Sequence, residues 1–221
     1  MITIIIFIFA AVGISYWWLL RQRVLEKPWL TEGTGVDRRE DLASESPTAK
    51  TGLIVFLAVV TSMFSLFISA YFMRMELNDW RPLDEPGLLW FNTLLLILGS
   101  LSIHKCARSA ANQDANGVKV TLLATGIFTG AFVAGQLIAW QQLNEAGYAL
   151  RSNPANAFFY LFTGIHGLHL LGGLWVWSRT SIRVLAGVEL EQIKLSVELC
   201  RNYWHFLLVV WIVIFALLLS T

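Results

Sequence analysis

The sequence predicts an all-α integral membrane helix bundle with six transmembrane helices, an N-terminal helix followed by a five-helix block. Three observations carry this. Hydrophobic residues make up 56% of the 221-residue chain and charged residues only 14%, with a mean hydropathy of +0.61. A soluble domain is about 25% charged. The apolar residues fall into six runs, 2–20, 53–73, 88–103, 120–140, 155–178 and 202–220, and none of them holds a Lys, Arg, Asp or Glu. About 20 apolar residues are needed to cross about 30 Å of hydrocarbon. The third run is short as drawn, and His104 and Lys105 can lengthen it by snorkelling. Strands of alternating polarity, the mark of a membrane β-barrel, are missing.

The composition also excludes classes. Sixteen Lys and Arg against fifteen Asp and Glu leave a net charge of +1, so there is no basic excess to grip nucleic-acid phosphates. An ordinary water-soluble enzyme does not fit so apolar a chain.

Run 2–20 is followed, not preceded, by charge: Arg21 and Arg23 come after it, and Met1, Ile2 and Thr3 carry none on their side chains. A signal peptide has the reverse order. The expectation is a retained helix over 1–20 with its N-terminus outside. Residues 21–52 read as a charge-balanced flexible linker with Pro28, Gly33, Gly35 and Pro47. The five-helix bundle follows over 53–221.

Orientation comes from the loops. Segments 21–52, 104–119 and 179–201 carry thirteen of the sixteen basic residues; the two connections on the other side carry Arg74, Arg81 and Arg151. The positive-inside rule assigns the thirteen to the cytoplasm, with both termini outside. Cys106 and Cys200 form no CxxC pair and are expected as free thiols in a reducing compartment.

Chemistry at membrane depth is sparse. Pumps and ion pathways carry buried acids or bases; here the nearest acid is Glu198, at the mouth of the last run. The candidates are histidines. His166 and His169 are three residues apart and share a helix face, His205 sits in Tyr203-Trp204-His205-Phe206, and His104 ends the third run. One reading is a haem or metal site. The other is neutral imidazoles hydrogen-bonding across helices, which spares them an unsatisfied polar group in lipid. At 1.5 Å per residue His169 lies about 13 Å from the cytoplasmic end and His205 about 4 Å, an offset of about 9 Å that is poor for clasping one haem. No Cys or carboxylate at that depth completes a metal site. Gly126 with Gly130, and Gly172 with Gly173, are expected where helix backbones approach closely. Trp17, Trp18, Trp90, Trp140, Trp175, Trp177 and Trp204 lie near span ends and are expected mostly as interfacial anchors, with a few lining a lipid-binding groove.

In the last two runs the sequence becomes specific. Phe158-Phe159 precedes Thr163-Gly164-Ile165-His166-Gly167-Leu168-His169, and Tyr203-Trp204-His205-Phe206 precedes Val209-Val210-Trp211. Together these resemble the heme–copper oxidase subunit III family, the accessory subunit of cytochrome c and quinol oxidases. Asn92-Thr93-Leu94-Leu95-Leu96 with Ser100, Gly130-x-Phe132-x-x-x-Gln136, and Glu198 seven residues before His205 also resemble family elements in order. Three departures stand out: Val60, Ala139 and Leu208 occupy positions where members commonly carry acids. Members have five or seven helices, against the six read here.

The resemblance implies a non-catalytic subunit of a respiratory terminal oxidase in an energy-transducing membrane, a bacterial inner membrane. Haem and copper would belong to partner chains, the catalytic subunit I and a subunit II. This chain would bind none of them, hold phospholipid, and support proton uptake near Asp114, Glu189, Glu191 and Glu198. No residue is assigned a catalytic, cofactor-binding or metal-ligating role. His166, His169, Glu198, Tyr203, Trp204, His205, Trp211, Asn92, Thr93 and Gln136 are expected as structural, lipid or subunit contacts. The accessory subunit of a nitric oxide reductase is the nearest rival, and a membrane haem or metal electron carrier or a transporter are alternatives from other classes.

Overall fold

A computed structural model describes residues 47–82, 87–150 and 152–220. Five helices make up the described chain: α1 (Pro47–Met75), α2 (Leu88–Ala111), α3 (Ala115–Glu145), α4 (Pro154–Leu185) and α5 (Leu190–Leu219). All five are long and apolar enough to span a membrane. The expected helix over 1–20 and the linker up to residue 46 lie outside the described residues, so five helices stand where six were expected.

The helices run well past the apolar runs. They hold 24 to 32 residues, or about 36–48 Å at 1.5 Å per residue. Hydrocarbon is only about 30 Å thick. Pro47 starts α1 inside the expected linker, because a proline at the first helical position gives up an N–H that has no partner there anyway. The stretches 104–119 and 179–201, expected as loops, are mostly helix. Only Asn112–Asp114 and Ala186–Glu189 interrupt them. Turns this short force α2 against α3 and α4 against α5 as antiparallel neighbours. They also collect the basic residues of these stretches at one end of the bundle, here termed the basic end.

Three helices stop by the same device. At the end of α4 the amide of Gly187 donates to Val184 O (3.2 Å) and that of Val188 to Arg183 O (3.2 Å), which occupies carbonyls the helix leaves open. Gly147 repeats this after α3. Both glycines sit at positive φ, +77° and +88°. After α2 the same left-handed position is filled by Gln113 at φ 58°, a conformation unusual for a residue with a Cβ. Asp114 then caps α3 by accepting from the Gly117 amide at 3.0 Å.

Helix α2 packs most closely on α3 and next on α5, and α5 also packs on α4. Helix α1 rests lightly on α4 and α5 through a stripe that includes Val60, Phe64 and Tyr71. Tyr71 fixes that stripe edge-on against Trp80 (4.9 Å) and Phe158 (5.4 Å). The exterior is apolar as well: Leu66, Leu123, Leu168 and Trp175 are each more than 60% exposed. That inversion of the usual pattern suits a hydrocarbon solvent.

Candidate functional site

The interior of the bundle is organised by tryptophan and threonine. Trp140 Nε1 donates to Thr163 Oγ1 (3.0 Å), Trp204 Nε1 to Thr129 Oγ1 (3.1 Å) and Trp211 Nε1 to Thr93 Oγ1 (2.9 Å). These bonds join α3 to α4, α5 to α3 and α5 to α2. Each threonine has already given its own proton to the carbonyl four residues back, at Phe159, Thr125 and Leu89 respectively. Its oxygen therefore has only lone pairs to offer, and the indole, which can only donate, is the complementary partner. Trp177 makes a fourth such bond, to Leu122 O at 3.0 Å.

This corrects the anchor expectation for Trp140, Trp177 and Trp204, which turn inward. Trp90 and Trp175 are 61% and 75% exposed, while Trp17 and Trp18 lie outside the described residues. The glycines are corrected too. A Cβ on Gly126 would lie 2.2 Å from Trp177 Cζ2, and one on Gly173 2.8 Å from a Tyr203 ring carbon. These two glycines make room for aromatic rings. Gly130 and Gly172 would meet nothing within 4 Å.

Asn92 and Gln136 come together in the core. Asn92 Nδ2 donates to Gln136 Oε1 at 3.3 Å, and the Asn92 carboxamide lies so close over Gly135 that a Cβ there would fall 2.2 Å from Asn92 Oδ1.

The histidines are not brought to one point. His166 is fully buried, with its ring 5.3 Å from Trp211 and 6.0 Å from Phe132. Neither of its nitrogens has a hydrogen-bond partner among the described residues. His169 Nδ1 donates to Ile165 O of its own helix at 2.8 Å. The cross-helix bonds expected of this pair are therefore replaced. The link between α4 and α5 runs instead from the Tyr203 hydroxyl to the backbone oxygen of His169, at 2.8 Å. Residues i and i+3 share a broad helix face, yet one ring enters the core while the other meets Phe56 and Phe64 of α1.

His205 faces α2. Its Nδ1 is 2.6 Å from Ser100 Oγ, and its Nε2 is 3.4 Å from His104 Nδ1. Nearby at the basic end, Glu198 pairs loosely with Lys50 of α1 at 3.9 Å, and Gln113 Nε2 donates to Glu191 Oε1 at 2.6 Å, tying the α2–α3 turn to the first turn of α5.

These residues do not fit a haem or a copper centre. His166 is walled in by rings, and the rings of His169 and His205 are engaged on different neighbours. None of the three lines the grooves over Tyr203, Trp177, Trp140 or Tyr160. No group of three metal-ligating side chains occurs among those residues. Sequence reasoning missed Thr129 altogether and quoted Thr163 and Ser100 only as parts of motifs, without their roles as hydrogen-bond partners. A signal was present in the four-residue spacing of Thr121, Thr125 and Thr129, which places three hydroxyls on one face of α3.

Long apolar helices, a lipid-type exterior and an interior whose polar groups mostly bond within the bundle define a polytopic helical membrane protein. The comparisons with known proteins narrow this to a family. The profile of the family described as cytochrome c oxidase subunit III matches residues 45–220. A relative named cytochrome c oxidase subunit 3, from Thermostichus vulcanus, is 31% identical over 199 residues, covering 85% of this chain and 94% of that one. A protein of the same name from Synechocystis is 31% identical, with 75% and 72% covered. A probable cytochrome c oxidase subunit 3 from Nocardia farcinica is 28% identical, with 84% and 94% covered. The chain belongs to the cytochrome c oxidase subunit III family, the accessory subunit of a terminal oxidase.

Proposed function

We propose that this chain scaffolds the catalytic subunit I of a cytochrome c oxidase in a bacterial inner membrane, beside a subunit II, and holds no haem or copper itself. The observation that carries the reading is the closed state of its histidines. His166 is enclosed by Phe132 and Trp211, and His205 is engaged by Ser100 and His104. With no open imidazole pair to bind a haem, electron transfer and oxygen reduction fall to the partners. The basic end faces the cytoplasm, by the positive-inside rule. The names of the relatives favour cytochrome c over quinol as donor and over a nitric oxide reductase as host.

The contribution to turnover is mechanical and electrostatic. Rigid indole–hydroxyl ties hold four of the five described helices in one arrangement. Helix α1 stands off from α4 and α5 and leaves an apolar groove of about 320 Å³ over Gly172 and Tyr203. Phospholipid chains held in such grooves limit water leakage and motion of the partner's helices. Acids at the basic end support proton uptake, with Glu189 the best placed, since Asp114 caps α3 and Glu191 is bonded to Gln113.

The test is removal of this chain from the purified oxidase. The haem spectrum should stay unchanged, and activity should decay faster per turnover. Catalytic subunits that keep their full turnover lifetime without it would refute the role.

A further inference from the structure

Of the eight asparagines in the chain, only Asn116 is followed by a glycine. An Asn–Gly bond is chemically labile wherever the backbone is free to move, because glycine has no side chain to keep its own nitrogen away from the neighbouring carboxamide. Both residues lie in the first turn of α3, at the basic end. Asn116 is exposed, so water reaches it, and its carboxamide makes no hydrogen bond among the described residues.

Packing demands the glycine. A Cβ on residue 117 would fall 2.6 Å from Ser109 Oγ of α2 and would run into the Asp114 carboxylate. The tight closure of α2 on α3 therefore brings the labile bond with it. The same closure also guards it. The Gly117 N–H belongs to the first turn, where the helix offers it no backbone acceptor, and it donates instead to Asp114 Oδ1 at 3.0 Å. Attack on the Asn116 carboxamide needs that nitrogen to lose its proton and to swing toward Asn116 Cγ. Both movements break the bond to Asp114 and the helical dihedrals of the turn.

We propose that Asn116 is a site of spontaneous deamidation whose rate is set by the Asp114 cap. When the first turn of α3 frays, Gly117 N bonds to Asn116 Cγ, and the carboxamide nitrogen leaves as ammonia with the proton that Gly117 N gives up. Water then adds to one of the two carbonyls of the resulting five-membered imide and opens the ring. No atom is oxidised or reduced. Opening on one side yields aspartate, and on the other isoaspartate. The aspartate puts a negative charge at a helix N-terminus, where it is favoured. The isoaspartate inserts a methylene into the main chain between Asp114 and Gly117, so the capped turn is lost. The bond from Gln113 to Glu191 starts three residues away, and loss of the turn loosens that tie to α5.

The test is incubation of the purified complex in mildly alkaline buffer, followed by proteolysis and mass spectrometry that separates the asparaginyl, aspartyl and isoaspartyl forms of the peptide holding residue 116. The folded chain should convert more slowly than the same chain unfolded in dodecyl sulfate. Asp114→Ala should convert about fivefold faster than the unaltered chain, the change in open population that corresponds to loss of a typical N-cap. Asp114→Asn keeps a capping oxygen and should restore most of the protection, and Asn116→Gln should show no conversion at this position. Equal rates for Asp114→Ala and the unaltered chain would overturn the proposal, as would the absence of product at Asn116 even in the unfolded chain. Should Asp114→Ala fail to assemble, the comparison of folded with unfolded unaltered chain decides alone, and equal rates there also refute the gating.

Discussion

The bond between Trp211 and Thr93 offers a sharp test of what holds this bundle together. Trp211 is fully buried, packs edge-on against Phe132 at 4.9 Å, and donates to Thr93 Oγ1 at 2.9 Å. Trp211→Phe removes the donor and part of the ring volume. Thr93→Val removes the acceptor with little change of shape. The vacated volume costs about 1–2 kcal/mol, the scale of a partial truncation of a buried side chain. The lost bond adds about 0.5–1.5 kcal/mol. Thr93 keeps its bond to Leu89 O in the tryptophan variant, so no hydroxyl proton is stranded. The double variant isolates the indole–hydroxyl term, because the other costs appear once in each single variant. Its coupling should be about 0.6 kcal/mol and no more than about 1.7, the range for side-chain hydrogen bonds between helices in a bilayer. The measurement is reversible unfolding of the chain in mixed micelles at increasing denaturing detergent, followed by tryptophan fluorescence. Strict additivity of the two variants would refute the claim that these bonds tie helix to helix.

Other outcomes follow from the same geometry. Gly126→Leu drives its side chain into Trp177 and should cost about 1–3 kcal/mol. Gly130→Ala, which meets nothing within 4 Å, should be neutral or stabilise α3 by up to about 1 kcal/mol in the same unfolding measurement. His166→Leu removes two buried nitrogens that lack partners. It should leave stability unchanged or raise it by about 1 kcal/mol, with haem and copper contents of the complex unaltered; a fall in either metal would show that His166 is a ligand. In the last turn of α1, the Arg74 guanidinium hydrogen-bonds Asp79, beyond the helix end, at 2.6 Å and holds its carboxyl below the usual carboxylate range. The pair's contribution is therefore present above the ordinary carboxylate pKa and fades as pH falls through the lowered value. Amide exchange at Leu77 and Trp80 should quicken on that acidification, and Asp79→Asn should show the quicker exchange already at neutral pH.

Much of this molecule could be read from the chain alone, and the reason is the solvent. A bilayer demands charge-free runs of fixed length, so the five described spans, their order and the side that gathers the basic residues are all visible in composition. The motifs around His166-Gly167-Leu168-His169 and Tyr203-Trp204-His205-Phe206 were enough to indicate the family. Helix ends were less legible. Past the hydrocarbon boundary charged residues tolerate helix and loop alike, and only the capping geometry at Asn112–Asp114 and Ala186–Glu189 places the turns.

Side-chain pairing was decided by tertiary structure. Tryptophan is amphipathic, and a place near a span end suits it whether it anchors to the interface or turns inward. Trp140, Trp177 and Trp204 turn inward because a threonine or carbonyl oxygen on the facing helix lies within reach. The histidines were ambiguous for the same reason. An imidazole can ligate, donate or simply pack, and the three-residue spacing of His166 and His169 does not choose among these. Helix rotation chooses, sending one ring between Phe132 and Trp211 and the other toward α1. Periodicity along one helix sets which residues share a face, but the groups that face them belong to helices distant in the sequence, and only packing brings those together.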